Sequence, residues 1–324
     1  MLTRLPKRLN THATFGVCSP SGFIAELGKL DLANQYLTQR GFKVIEGKHA
    51  RGRHAYFSGT DSERLDDLNQ LIDNPQVDAV IASRGGYGLT RVLEQIDYAK
   101  WADRQKPIIG FSDVTALNLA LLAKAQFVSF QGPMLTPDMG HNNLSPYLNS
   151  VFESVLMNSM FQSEALPLFS EDSKVRQQDE LLEALKQPIE GILWGGNLSL
   201  LAHLTGTPYM PNIAEGILFI EEVNEEPYKV ERMMMQLYHA GILKQQKAIV
   251  MCQFNQCVPT ERSAYHYTMQ DVVAYFKSKL NIPILEDFPF GHVRDKYTLP
   301  LGALARLTLL DDAHYQLQFS KYNQ

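Results

Sequence analysis

The first half of the chain alternates short apolar runs with stretches whose apolar residues recur at helical spacing. Thr14 to Cys18, "TFGVC", predicts a strand, and the turn formers Ser19, Pro20, Ser21 and Gly22 end it. A helix is predicted from about Ala25 to Arg40, a second strand over "FKVIEG" and a second helix over "SERLDDLNQLIDN". Val77 to Ser83, "VDAVIAS", is rich in β-branched residues and largely apolar, which suits a parallel strand buried on both faces. "RGGYG" leads into a third helix, "LTRVLEQI". "PIIGF" and the helix after Ser112 make a fourth unit, and "FVSFQG" a fifth strand. This repeated βα order predicts a doubly wound, mostly parallel α/β sheet.

From about Ser145 to Glu190 the pattern weakens, and the polar stretch "SEDSKVRQQDE" reads as a linker. A new block opens at "GILWGGNLSLLAHLTG". It continues through the strand "GILFIEE", the helix "YKVERMMMQLYHAGIL", the strand "AIVMCQF", a helix around Gln270 to Leu280, and strands near "PILEDFPFGH" and "ALARLTLL". Its order is richer in β and less regular. The expectation is an N-terminal α/β domain over residues 1–150, a linker region over 151–190, and a second, β-rich α/β domain over 191–324. A chain of 324 residues is more than one hydrophobic core comfortably organises, which agrees with that division.

Composition narrows the functional classes. At 45% hydrophobic and 20% charged residues the chain reads as an ordinary globular protein, and its net charge of -5 gives no basic footprint for nucleic acid. Cys18, Cys252 and Cys257 are odd in number and scattered, which suits a reducing compartment better than a disulfide framework. No run reaches the roughly 18 apolar residues of a membrane span, and the start has no apolar stretch of signal-peptide length. The cytoplasm is the expected location, with no membrane and no nucleic-acid partner. No H-E-x-x-H is present, and Cys252 and Cys257 have no paired half-site at zinc spacing, so no metal site is expected.

Ligands of open α/β sheets bind beyond the carboxyl ends of the strands. Two loops are predicted at that edge, "SRGGYG" over Ser83 to Gly88 and "GFSDVT" over Gly110 to Thr115. Glycines 85, 86 and 88 let backbone N–H groups close on an anion, although a tight βα turn needs glycine as well. The run lacks the Lys-Ser/Thr ending of a phosphate loop and the spacing of a dinucleotide fingerprint. Ser112, at a strand-to-helix joint, reads either as a helix cap or as a nucleophile. "GFSDV" resembles a nucleophile elbow without its second glycine. A nucleophilic serine needs a base and an orienting acid. Glu221 and Glu222 end the strand "GILFIEE", and His292 follows Gly291 in an aromatic-flanked turn. His239, beside Tyr238, reads as a packed helix residue, and Met233 to Met235 as core and edge.

Together "SPSG", "SGTDSERLDDL", "ASRGGYG", "IGFSDVTAL", "QGPML", "WGGNL", "FIEEVNEEPYKVERMMMQLYHAGIL" and "FGH…TLPLGA" resemble the LD-carboxypeptidase family, the muramoyl-tetrapeptide carboxypeptidases, across almost the whole chain and in the family's order. The resemblance implies a serine peptidase with Ser112 as nucleophile, His292 as base and Glu221 as orienting acid. Its oxyanion hole would use the N–H of Asp113 and one from the glycine loop, Gly86. Arg84, Gly85, Tyr87 and Arg232 are the candidates for substrate contact. The active site would lie in the cleft between the domains. The resemblance further implies a homodimer, no cofactor, and a murein peptide substrate cleaved between the L-centre of meso-diaminopimelate and terminal D-Ala during peptidoglycan recycling. The nearest rival is the microcin C immunity peptidase of the same family. The polar stretch from Leu166 to Glu190 offers no obvious aromatic platform for the nucleobase that such a peptidase would stack. A non-catalytic small-anion binding protein and a nucleotide-dependent Rossmann enzyme are the other readings. The missing fingerprint counts against the last.

Overall fold

Five apolar runs of the first half fold into one parallel sheet. β1 (Thr14–Cys18), β2 (Lys43–Glu46), β3 (Ala79–Ala82), β4 (Ile108–Ile109) and β5 (Ser129–Gln131) lie in the order β2-β1-β3-β4-β5, each neighbouring pair parallel. α1 (Leu27–Gln39), α2 (Asp61–Asp73), α3 (Tyr98–Arg104) and α4 (Thr115–Ala125) alternate with these strands along the chain. Every residue of β1 and β3 is buried, as their unbroken apolar sequences require. The strand order reverses between β1 and β3, the kind of switch point at which open α/β sheets bind ligands. The computed structural model describes residues 3–168, 175–260 and 266–324.

The second half builds a mixed sheet. Its strands are β6 (Met160–Gln162), β7 (Leu166–Pro167), β8 (Ile189–Asn197), β9 (Ile217–Val223), β10 (Ala248–Asn255), β11 (Ile284–Leu285), β13 (Leu304–Asp311) and β14 (His314–Ser320). The run β11-β10-β9-β8 is parallel, and β13, β14 and β6 continue it antiparallel, with β7 also on β14. Between β11 and β13, β12 (Leu299–Leu301) crosses to the first sheet and pairs antiparallel with β5, Pro300 opposite Phe130. Proline has no N–H to give a second neighbour, so it fits the edge position that β12 occupies. The remaining helices are α5 (Glu153–Met157), α6 (Val175–Ala184), α7 (Leu198–Leu204), α8 (Pro227–His239) and α9 (Met269–Lys279). α4 is buried from Thr115 through Leu122 and packs against β8 and α7, so it is held by both halves of the chain. The fold is the expected two-domain α/β class.

Local departures from the sequence pattern have physical causes. "LTRVLEQI" is not one helix but two 3₁₀ turns, Leu89–Arg91 and Leu93–Gln95. The helix follows them as α3, its N-terminus capped by Asp97, which accepts the Lys100 N–H at 3.0 Å. Of the polar stretch read as a linker, residues 170–174 lie outside the described residues, and α6 follows. Within 151–190 the described chain also carries α5, β6 and β7. On α8, Met234 is fully buried, with Met233 and Met235 partly so, the core-and-edge arrangement expected. His239 is exposed in the last turn of that helix rather than packed.

Candidate active site

β4 ends at Ile109, and the chain turns sharply into α4. Ser112 adopts φ of 59°, in the left-handed region that costs a non-glycine residue about 1–3 kcal/mol. A 3₁₀ turn, Ser112–Val114, joins this strained residue to the helix. Phe111 and Val114 occupy the cap positions of the turn and of α4, neither with a side-chain cap hydrogen bond, so the cap reading of Ser112 is overturned. A strained serine at a strand-to-helix turn, presenting its hydroxyl to a pocket, is the geometry of a nucleophile elbow.

The loop after β3 lies directly against this elbow. A Cβ on Gly85 would fall 2.8 Å from the Ser112 hydroxyl oxygen and 3.4 Å from the Asp113 nitrogen, so only glycine leaves the serine clear. Gly86 follows with φ of 117°, again a conformation that L side chains rarely adopt. The turn after β1 joins the group: Ser19 and Ser83 share a hydroxyl–hydroxyl hydrogen bond at 2.6 Å, and the Gly22 N–H donates to the Gly85 carbonyl at 3.3 Å. Arg84 is held beside this turn by donating to the Phe23 carbonyl at 2.7 Å.

Two adjacent carboxylates end β9, and the pleat sends them opposite ways. Glu221 is fully buried, and its Oε2 lies 2.9 Å from Nδ1 of His292. Since a carboxylate only accepts, Nδ1 carries the hydrogen and Nε2 is left free to accept a proton. Gly291, at φ of 132°, lets the chain pass so close that a Cβ there would sit 3.3 Å from Glu221 Oε2. Glu222 faces α7 instead. Its Oε2 accepts the Ser199 N–H at 2.8 Å and the Ser199 hydroxyl at 2.6 Å, and its Oε1 accepts the Asn197 amide at 3.0 Å. Burial pushes the Glu222 carboxyl above its ordinary range, with the Ser199 hydrogen bond pulling it back.

Ser112 and His292 line one pocket of about 300 Å³, together with Arg84, Gly85, Gly86 and Phe111. The His292 ring meets Phe111 edge-on, centroids 5.0 Å apart. Tyr87 and Arg232, both candidates for substrate contact, do not line this pocket and are exposed. Glu26, Lys29 and His141 do line it, and sequence reasoning missed them because no motif marks them. Burial pushes the thiols of Cys18, Cys252 and Cys257 up, Cys257 to about 11, which makes them poor nucleophiles. Among the described residues no group of three His, Cys, Asp or Glu side chains is arranged to hold a metal.

A buried ion pair braces the pocket wall. Lys296, shortly after His292, pairs with Asp138, and the two side chains are 3% and 5% exposed. The Lys296 ammonium also lies 4.2 Å from the centre of the Phe111 ring, and Asp138 accepts the Met134 N–H at 2.7 Å. Removing one partner strands the other's charge in the interior, so Lys296→Met is expected to cost about 3–5 kcal/mol. Equilibrium urea unfolding of the variant checks this; an unchanged midpoint refutes it.

Models of the LD-carboxypeptidase N-terminal domain and the LD-carboxypeptidase C-terminal domain match residues 15–132 and 190–307 of the chain. The probable murein peptide carboxypeptidase of Bacillus subtilis is 32% identical over 302 residues, covering 93% of this chain and 91% of the relative. The crystal structure of the muramoyltetrapeptide carboxypeptidase from Oxalobacter formigenes has a TM-score of 0.84 at 36% identity, covering 96% of this chain and all of that one. The microcin C7 self-immunity protein of Escherichia coli is 29% identical over 288 residues, 83% of this chain and 82% of the relative. Among the described residues no helix is long and apolar enough to cross a membrane.

Proposed function

The chain belongs to the LD-carboxypeptidase family and is a serine-type carboxypeptidase, a hydrolase; on that premise we propose that it releases terminal D-Ala from a murein tetrapeptide. The observation that carries the site assignment is the pairing of buried Glu221 with the partly exposed His292, which lines the same pocket as the strained Ser112. Ser112 Oγ attacks the carbonyl carbon between the diamino acid and D-Ala, and Nε2 of His292 takes its proton. Glu221 holds the Nδ1–H and stabilises the imidazolium that forms. The oxygen that becomes negative is received by the N–H groups of Asp113 and Gly86. As the C–N bond breaks, His292 returns the proton to the departing amine. A water molecule, activated by the same histidine, then hydrolyses the acyl-enzyme to the tripeptide acid and free serine.

An exopeptidase must also recognise a terminal carboxylate. Arg84 fits that role best, because it lines the pocket and its guanidinium lies beside the glycine loop. Arg232 does not line that pocket. The proposed domain division puts the nucleophile in the first unit and the acid and base in the second, so the pocket is read as an interdomain cleft. A cytoplasmic homodimer acting on recycled peptidoglycan fragments completes the proposal. The likeness to the microcin C7 self-immunity protein supports a second reading, a peptidase acting on a peptidyl-nucleotide.

One experiment separates them. Purified protein incubated with murein tetrapeptide is expected to release free D-Ala, detected by chromatography, and to leave a peptidyl-adenylate analogue intact. No D-Ala together with cleavage of the analogue refutes the murein reading in favour of the second.

A further inference from the structure

Asp113 carries the buried carboxylate next to Ser112 in sequence, and the chemistry above uses only its backbone. The residue is 1% exposed, and its Oδ2 accepts two hydrogen bonds, from the Ser21 hydroxyl at 2.6 Å and from the Leu89 N–H at 3.0 Å. Ser21 lies on the turn after β1, and Leu89 directly follows the glycine loop after β3. One oxygen therefore ties together the chain segments at the carboxyl ends of β1, β3 and β4. Arg64, fully buried on α2, adds a second tie from behind: its Nη1 donates to the carbonyls of Pro20 and, at 3.1 Å, Gly88. Burial pushes the Asp113 carboxyl above its ordinary range, while these two hydrogen bonds and the Arg64 charge pull it back.

We propose that the Asp113 side chain is a positioning residue for the oxyanion hole, fixing the glycine loop at the distance from the elbow at which the Gly86 and Asp113 N–H groups converge on one oxygen. The proposal rests on the serine-peptidase reading above. Glycines supply the approach to Ser112 but have no side chains with which to hold the loop in place. The restraint comes from hydrogen bonds: the Gly22 N–H to the Gly85 carbonyl, Arg64 to the Gly88 carbonyl, and the Leu89 N–H to Asp113, the last of which ends on the elbow itself. Displacing such donors by 1 Å costs on the order of 10²-fold in rate. A ground-state peptide, whose carbonyl oxygen is not yet charged, feels the displacement far less.

The test compares Asp113→Ala, Asp113→Asn and Ser21→Ala with the wild type. Active serines are counted by titration with a fluorophosphonate, so that loss of folded protein is not read as loss of rate. Asp113→Ala is expected to lose about 10²-fold in kcat per titrated serine, with KM within about twofold. A peptide aldehyde, which forms a tetrahedral adduct with its oxygen in the hole, is expected to lose affinity in step with kcat/KM. Asp113→Asn keeps an acceptor oxygen and is expected to recover most of the loss. If Asp113→Ala does not fold, Ser21→Ala is read in the same way, with a smaller loss in the same direction. Wild-type turnover per titrated serine, or a fall in kcat with undiminished aldehyde affinity, overturns the proposal. A wild-type protein that is not titrated, with an active Ser112→Ala, refutes the serine reading itself, and the proposal falls with it.

Discussion

Ser112→Ala is expected to abolish release of the terminal residue while the protein stays folded. Loss of a nucleophilic serine in a triad typically removes on the order of 10⁶ from kcat. The structural cost is small, because the hydroxyl occupies no cap position on the turn or on α4. The strained backbone gives the prediction a second, independent edge. Alanine keeps the left-handed φ of 59° and its penalty, whereas glycine relieves it. Ser112→Gly should be equally inactive yet about 1–2 kcal/mol more stable than Ser112→Ala. That ordering marks a backbone held in the left-handed region at the residue proposed to carry the chemistry. Product release by either variant at more than a trace of the wild-type rate, measured on protein with a normal melting transition, removes Ser112 from the role of nucleophile.

What could be read from the sequence depended on how many independent signals each element carried. β1 and β3 are continuous apolar runs bounded by turn residues, and both lie where the pattern puts them. The region after Gly88 was misread because Leu89, Val92, Leu93 and Ile96 have helical spacing and are all buried. Two 3₁₀ turns bury the same residues, so periodicity alone does not choose between the backbones. β14 is a different miss: Tyr315, Leu317 and Phe319 alternate with polar residues, the signature of a half-buried strand, and the structure buries just those three. β12 was hidden by Pro300, which argues against an interior strand but not against an edge. Within the site, strand ends and glycine turns marked Ser112, the Glu221–Glu222 pair and His292 as candidates, and the resemblance to the LD-carboxypeptidases chose Glu221 and assigned the three roles. Lys29 and His141 reach the pocket by tertiary folding alone. The side-chain role of Asp113 depends on segments 92 and 24 residues away, Ser21 and Leu89, which no local pattern connects.

Glu221 and Glu222 offer the sharpest contrast, since neighbouring, like-charged, equally buried residues are expected to fail in opposite ways. Glu221→Gln leaves His292 without a charged acceptor at Nδ1. An amide there presents either its oxygen or its NH₂ to the ring, and the NH₂ orientation selects the wrong tautomer. In the best-studied triad the equivalent loss is about 10⁴-fold in kcat. Stability should be nearly unchanged, because the variant removes a buried charge whose only hydrogen-bonded partner described is a histidine. Glu222→Gln reverses the pattern. The carboxylate accepts from the Ser199 N–H, the Ser199 hydroxyl, the Asn197 amide and the Val223 N–H, and thereby holds the first turn of α7 against β9. A glutamine turns two of its own donors toward that cluster of donors, leaving buried groups unsatisfied at about 1–3 kcal/mol each. The melting temperature should therefore drop clearly, while kcat per active serine stays close to that of the wild type. Both variants require turnover and thermal unfolding to be measured side by side. Should Glu222→Gln be the inactive, fully stable variant and Glu221→Gln the unstable, active one, the roles drawn from the 2.9 Å contact between Glu221 and His292 are wrong.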